Sequence, residues 1–255
     1  MSNEWSWVLL IAAAFAGGAV NSIAGGGTLL TFPGLLAVLS PVMANATSTM
    51  ALVPGTFGAV WAYRQELAGN RSQLIRLWPP SLLGAIAGSL LLTRLPEKVF
   101  SLLVPWLLIT ASVLLLLQRP LSRWLGSHRA ANPNLGTLVA VIVFQFVVGV
   151  YGGYFGAGIG ILMLSSLAFV GIPDIHQMNA VKTVLGGTIN GITAVIFAFA
   201  HIIVWKYALV MALASIAGGY VGARVARRMR AGYVKALVVA IGVGVAIYSW
   251  IHRAG

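Results

Sequence analysis

The sequence predicts an all-α, polytopic membrane protein made of two inverted-topology repeats of about five segments each. Three observations support this fold class. Of the 255 residues, 59% are hydrophobic and only 8% are charged, whereas a soluble domain carries about 25% charged residues. Apolar runs close to the ~20 residues that cross ~30 Å of hydrocarbon recur along the whole chain. Two of those runs, one in each half, are interrupted by a glycine-rich stretch.

Ten apolar segments can be delimited along the chain. They are residues 5–24, 28–39, 46–63, 77–93, 99–117, 135–155, 158–170, 178–200, 204–223 and 233–251. Segments 28–39 and 158–170 are short for a full crossing, and each directly follows a glycine-rich stretch. We expect the first segment to be a retained helix rather than a signal peptide, because Glu4 and no Lys or Arg precede it.

The basic residues indicate how the segments are oriented. Most of the 16 Lys and Arg residues fall in three loops, which the positive-inside rule places in the cytoplasm. The loops contain Arg64, Arg71 and Arg76; Arg119, Arg123 and Arg129; and Arg224, Arg227, Arg228, Arg230 and Lys235. We therefore expect a multi-pass protein of the inner (plasma) membrane with both termini on the non-cytoplasmic side. The net charge of +12 then reflects topology and contact with the lipid bilayer, and no nucleic acid partner is expected.

The composition also excludes several kinds of chemistry. The chain has no cysteine, so it has no disulfide and no thiolate metal site. Its four acidic residues lie outside the predicted segments or in basic loops, and its four histidines are scattered. A cation or proton carrier normally needs an intramembrane carboxylate, and a divalent-metal site needs clustered ligands. A G-x-S-x-G nucleophile elbow is absent from the sequence. We expect no enzymatic activity, no cofactor and no metal.

The two halves of the chain resemble each other in three blocks that keep one order. "GAVNSIAGGGTLL" (residues 18–30) aligns with "GVYGGYFGAGIGIL" (149–162), "NATST" (45–49) with "NAVKT" (179–183), and "IAGSLLLTR" (86–94) with "IAGGYVGAR" (216–224). The chain therefore divides into a first transmembrane repeat (1–117), a cytoplasmic linker loop (118–134) and a second repeat (135–255). Five segments per half require the second repeat to be inverted, a common construction among transporters. The alternative is that Gly- and Ala-rich helices resemble each other by composition.

The glycine-rich stretches predict two broken helical hairpins that meet near the midplane of the membrane. Glycine lets the backbone leave helical geometry, and a helix that restarts there exposes unpaired N–H groups. In lipid such groups are tolerated only inside protein or along a cavity, and they attract anions. The alternative is that these glycines only permit close helix packing.

The predicted binding site combines both breaks with the polar residues around them, and it should prefer an anion. Its residues are Asn21, Gly25, Gly26, Gly27, Thr28, Asn45, Thr49, Gly156, Gly158, Asn179, Lys182, Thr183 and Asn190. By default, Asn45 and Asn179 are helix N-caps. Lys182 either contacts the substrate or extends its ammonium group to the membrane surface.

At these residues the chain resembles the TauE/SafE family of sulfite and organosulfonate exporters. The resemblance covers about residues 17–251 and is carried by "NSIAGGGTLLTFPGLL" and "ANATSTMALVPGTFGA". In the second repeat the family usually has another Gly-Gly-Gly-hydroxyl run, whereas this chain has "FGAGIGIL", with Ala157 and Ile159 at the matching positions.

The resemblance implies a transporter that exports a small sulfur-containing anion, such as sulfite, sulfoacetate or a related organosulfonate. Alternating access, driven by the membrane potential, is the expected mechanism. An anion channel and a non-transporting membrane scaffold are the alternatives. A homodimer is compatible with the sequence, which indicates no interface.

Overall fold

The computed structural model describes residues 3–23, 26–62, 64–127, 135–170, 172, 175–225, 239–247 and 250. Over these ranges the chain is all-helical, with ten α-helices, a further helical stretch at residues 239–247, and no strand. The helices are α1 (Asn3–Ile23), α2 (Thr28–Leu36), α3 (Pro41–Ala62), α4 (Arg64–Ala68), α5 (Arg71–Arg94), α6 (Glu97–Ser127), α7 (Leu135–Tyr154), α8 (Ile159–Ala168), α9 (Ile175–Phe199) and α10 (Trp205–Val225). The predicted fold class is confirmed.

Helix is present in each of the ten predicted segments. In the described ranges, four helices are long and apolar enough to cross a membrane: Arg71–Arg94, Glu97–Leu117, Leu135–Tyr154 and Gln177–Phe199. Helices α2 and α8 have 9 and 10 residues, which gives each a length of about 15 Å. Neither is long enough to span the hydrocarbon layer.

Several boundaries differ from the sequence-based expectation, including the start of α5 at Arg71 instead of residue 77. Helix α3 begins at Pro41, because proline is well suited to the first turn of a helix. Helix α6 continues to Ser127, into the segment predicted as a linker, and the short helix α4 was not predicted. Both additions are polar sequences that form helix without the hydrophobicity by which the segments were delimited.

Two pairs of helices, α1 with α10 and α5 with α7, approach each other most closely. A Cβ atom placed on Gly18 would lie 2.0 Å from the backbone oxygen of Ser215, and one on Gly88 would lie 2.0 Å from that of Val150. No side chain fits at such distances, so glycine is required for the backbones to touch. Under the predicted repeat, α1 corresponds to α7 and α10 to α5, so the two close pairs would be equivalent. The inverted relation of the halves itself stays a prediction.

Contacts between helices define two ends of the bundle. The rings of Trp7 and Tyr207 lie 4.9 Å apart, near the starts of α1 and α10. The backbone N–H of Val204, just before α10, donates to Oγ1 of Thr47 in the first part of α3 (3.1 Å). We call this the Trp205 end, and the opposite end, where α5 begins, the Arg71 end. Exposed Trp5 and Trp205 at the Trp205 end are typical of a membrane–water interface.

Buried polar side chains link α5, α7 and α8 through one hydrogen-bond network. Gln145 donates from Nε2 to Oγ of Ser81 (2.8 Å), and Ser166 donates from Oγ to Oε1 of Gln145 (3.1 Å). All three side chains are buried. Because a buried amide without partners is costly in an apolar core, this network fixes how the second hairpin sits against α5.

The glycine contacts yield a prediction about stability. Replacing Gly88 with alanine should lower the free energy of unfolding by about 1–3 kcal/mol, because the added methyl group must push α5 away from α7. Gly244→Ala is the matched control: no atom lies within 4 Å of a Cβ there, and alanine favours helix. Thermal unfolding in detergent measures both variants. Equal melting temperatures for the two would contradict the packing account.

Candidate functional site

The first break precedes α2 and includes Gly26 and Gly27, and the second break is residues 155–158, between α7 and α8. Both contain glycines in a backbone conformation that other residues rarely adopt. The φ angle is +123° at Gly26, +81° at Gly156 and +80° at Gly158. Gly27 and Gly158 occupy the N-cap positions of α2 and α8, and no side chain caps either helix. The two short helices therefore begin with backbone N–H groups that no cap side chain satisfies. Gly25, which was predicted as a site residue, lies outside the described residues.

One face of α9 carries a line of polar and small residues that we call the α9 stripe. Its members recur every three or four residues, which places them on one side of the helix. They are Asn179, Lys182, Thr183, Gly186, Gly187 and Asn190, and each is partly exposed. The opposite face of α9 carries Val181, Leu185 and Ile189, all fully buried. The stripe therefore faces a space that the rest of the protein does not fill.

The glycines of the stripe border that space. A Cβ atom on Gly186 would meet no other atom within 4 Å, and the same holds for Gly55 of α3. At Gly187 a Cβ would lie 3.7 Å from Oγ1 of Thr56, also in α3. We call the open space beside Gly186 and Gly187, on the side of α9 that meets α3, the α3–α9 cleft. Unlike Gly18 and Gly88, Gly186 and Gly55 do not serve to bring backbones together.

Lys182 is held beside the second break. Its Nζ donates to Oδ1 of Asn179 (2.9 Å), and its Cδ lies 3.3 Å from a Cβ position on Gly160, in the first turn of α8. An ammonium group has three N–H donors. Within the described residues its hydrogen-bond partner is a neutral amide, so no described acidic group offsets its charge and further donors remain for a ligand.

Asn190 lies at the other end of the stripe and close to the same break. Its Oδ1 is 3.6 Å from a Cβ position on Gly156. The structure thus places Asn179 and Lys182 beside Gly160, and Asn190 beside Gly156 about 12 Å farther along α9. Thr183 is in the same stripe, but its hydroxyl donates to the backbone oxygen of Asn179 (2.7 Å). Gly158 is packed instead against α6, near Ala111 and Leu114.

The predicted residues of the first half are placed differently. Asn45 is 1% exposed and donates from Nδ2 to the backbone oxygen of Tyr154 (3.0 Å). Thr49 is buried and donates to the backbone oxygen of Asn45 (2.9 Å), as Thr183 does to that of Asn179. Asn21 and Thr28 are partly exposed at the first break. No contact described in the structure joins them to the α9 stripe.

The interpretation of two asparagines as N-caps was wrong. Helix α3 begins at Pro41 and α9 at Ile175, so Asn45 and Asn179 lie inside their helices. Their side chains form hydrogen bonds with Tyr154 and Lys182 instead. The bond of Asn45 joins two helices, a common use of asparagine within a membrane bundle, whereas that of Asn179 lies within α9.

Sequence reasoning missed the residues that complete the cleft: Gly55, Thr56, Gly160, Gly186 and Gly187. A local signal existed for one pair, because Gly186 and Gly187 follow Lys182 and Thr183 by one helical turn and therefore share their face. The others come from different helices, and only the packing of α3 and α8 against α9 brings them to the site.

Nearly the whole chain matches one known protein family. The model of the family described as "Sulfite exporter TauE/SafE" matches residues 10–249, which is nearly the whole chain. The chain belongs to the TauE/SafE family. It is therefore a multi-pass membrane protein of a transporter family, and this family assignment indicates a transporter rather than an enzyme. No solved structure matches the chain.

Three curated relatives of this TauE/SafE protein carry similar names. The "Probable membrane transporter protein ORF9" of Sinorhizobium sp is 30% identical over 240 residues, covering 93% of this chain and 90% of that protein. A "Probable membrane transporter protein" of Haemophilus influenzae is 28% identical over 220 residues, covering 85% and 83%. The "Probable membrane transporter protein YfcA" of Escherichia coli K12 is 28% identical over 225 residues, covering 87% and 79%.

The cleft yields a second prediction about stability. Gly186→Leu should leave the melting temperature nearly unchanged, because the new side chain enters open space. Gly152→Leu should lower it strongly, because a Cβ there already lies 2.7 Å from the side chain of Ile189. Both positions lie inside helices, so helix propensity changes alike in the two variants. A large loss of stability in Gly186→Leu would show that the α3–α9 cleft is closed.

Proposed function

We propose that this TauE/SafE protein exports a small sulfur-containing oxyanion or organosulfonate, such as sulfite or sulfoacetate, across the plasma membrane by alternating access. The observation that carries the proposal is Lys182, a partly buried cation beside a broken helix in an open cleft. Among the described residues its hydrogen-bond partner is a neutral amide, and no described acidic residue offsets its charge for an incoming anion.

Three kinds of group in the cleft favour an anion over a cation. Lys182 supplies a full positive charge, and the first turn of α8 at Gly160 supplies backbone N–H groups at a helix N-terminus. Asn179, which lies beside Lys182, supplies an amide donor that suits an oxygen of a sulfonate or sulfite. The members of the α9 stripe include no acidic residue, and a cation site within the membrane would normally contain one.

The membrane potential is sufficient to drive export of such an anion. The arginines at the start of α4 and α5 favour a cytoplasmic location for the Arg71 end, by the positive-inside rule. With the cell interior negative, moving one negative charge outward releases about 2.3 kcal/mol per 100 mV. No coupling proton or sodium ion is then required, which agrees with the lack of acidic residues in the stripe.

Flux into proteoliposomes under a clamped potential tests the proposed function. Sulfite, thiosulfate, sulfoacetate and taurine are offered, with chloride and a monovalent cation as controls. We expect saturable flux of at least one sulfur anion whose rate follows the potential. Flux that does not saturate would indicate a channel. No flux of any anion, with the protein demonstrably inserted, would indicate a scaffold.

Lys182→Ala tests the residue at the centre of the proposed site. Removing a charged hydrogen-bond donor should raise the half-saturating concentration of the transported anion about tenfold or more. Lys206→Ala is the matched control, since Lys206 lies exposed at the start of α10 over the ring of Tyr207. If Lys182→Ala transports with unchanged affinity, the lysine has no role in binding, and backbone groups alone would have to hold the anion.

A further inference from the structure

We infer that the structure is the cytoplasm-open state of the transporter, and that contacts at the Trp205 end form a closed outer gate. The gate consists of three hydrogen bonds made by α3 and an aromatic cluster of Phe32, Phe100, Tyr154 and Phe155. The inference rests on the proposed function, because it takes the Trp205 end to be the outer end.

Three hydrogen bonds connect α3 to its surroundings at the Trp205 end. Nδ2 of Asn45 donates a hydrogen bond to the backbone oxygen of Tyr154, next to the second break (3.0 Å). The hydroxyls of Ser48 and Thr31 lie 2.6 Å apart and link α3 to α2. Thr47 accepts the N–H of Val204 (3.1 Å). The first and third bonds join the two halves of the chain.

An aromatic cluster fills the space beside these bonds. The ring of Phe32 in α2 meets that of Phe155 at the second break edge to face, with centroids 5.3 Å apart. Phe100 in α6 packs against Tyr154, with centroids 5.5 Å apart. Phe32, Phe100 and Phe155 are at most 1% exposed. Edge-to-face pairs of this kind stabilise a packed arrangement beyond the effect of burial alone.

The repeat-equivalent positions in the second half are open. Asn45 and Ser48 of α3 correspond in the alignment to Asn179 and Lys182 of α9. The first pair is buried, with Asn45 bonded to the opposite half, whereas the second pair is partly exposed and Lys182 bonds to Asn179. One set of contacts is therefore formed near the Trp205 end, and among the described residues no counterpart is found along the cleft.

The aromatic part of the gate also has no counterpart in the sequence. Phe155 corresponds to Ala24 and Phe32 to Met163, so the equivalent inner contacts would involve smaller or more flexible side chains. A gate made of interlocking rings should hold its closed form more firmly than a gate of alanine and methionine. The cytoplasm-open state is then the resting state, and Asn45 is a residue that positions the second break against α3.

The absence of cysteine makes this directly testable in the full chain. Single cysteines are introduced by Ser48→Cys and Gly186→Cys, with His201→Cys and Ser72→Cys as exposed reporters of sidedness. A membrane-impermeant maleimide is applied from either side of sealed vesicles without substrate. We expect Gly186→Cys to react from the cytoplasmic side and Ser48→Cys to react slowly from outside. Fast outer labelling of Ser48→Cys, or protection of Gly186→Cys from the cytoplasm, would overturn the inference.

Weakening the gate provides the second test. Asn45→Ala should raise the outer labelling rate of Ser48→Cys about tenfold, because it removes one bond between the halves. Asn70→Ala is the matched control: Asn70 is also buried, at 3% exposed, and donates a bond of the same length to the backbone oxygen of Glu66 in the same half. Equal rates in the two variants would contradict the gate.

The labelling and flux experiments test the gate and the proposed substrate independently. If this labelling pattern is found but no sulfur anion is transported, the proposed substrate fails and the gate stands. If a sulfur anion is transported but Ser48→Cys labels rapidly from outside, the gate fails and the proposed function stands.

Discussion

The constraint on which this structure depends is that backbone N–H and C=O groups within a bilayer must find partners inside the protein. The chain breaks two helices within apolar segments, at Gly26 and Gly27 and again between Tyr154 and Gly158. Each break leaves groups that lipid cannot satisfy, so the remaining helices must cover them. The contacts described at the breaks come from other helices: Leu115 of α6 lies near Gly26, Asn190 of α9 near Gly156, and Asn45 of α3 donates to Tyr154.

Glycine serves three different purposes under this constraint. At the breaks it adopts positive φ angles, as at Gly26 and Gly156. Between close helices it lets backbones touch, as at Gly88. On α9 and α3 it leaves space unfilled, as at Gly186 and Gly55. Glycines that border open space mark a cleft, whereas glycines in contact with another backbone mark a packed interface. Composition alone cannot tell these two kinds of glycine apart.

Much of the fold could be predicted from the sequence, because the lengths of the apolar segments and the positions of the glycine-rich stretches can be read directly along the chain. They located the ten segments, the two breaks and the shortness of α2 and α8. They missed α4 and the polar extension of α6, which are helical without being apolar.

At the site, the α9 stripe followed from helical spacing. The neighbours from α3 and α8, including Thr56 and Gly160, could not be found, because the pairing of distant helices depends on side-chain packing that hydropathy does not encode. The different burial of Asn45 and Asn179, which align in the two halves, could not be predicted for the same reason.

The central claim is that the α9 stripe recognises an anion through Lys182. The most direct test is the transient current that follows rapid addition of sulfite or sulfoacetate to proteoliposomes on a solid-supported membrane. The account predicts a saturable current whose sign corresponds to negative charge entering the protein, and its loss in Lys182→Ala. A current of the sign of an entering cation, or one of the same size in Lys182→Ala, would contradict it.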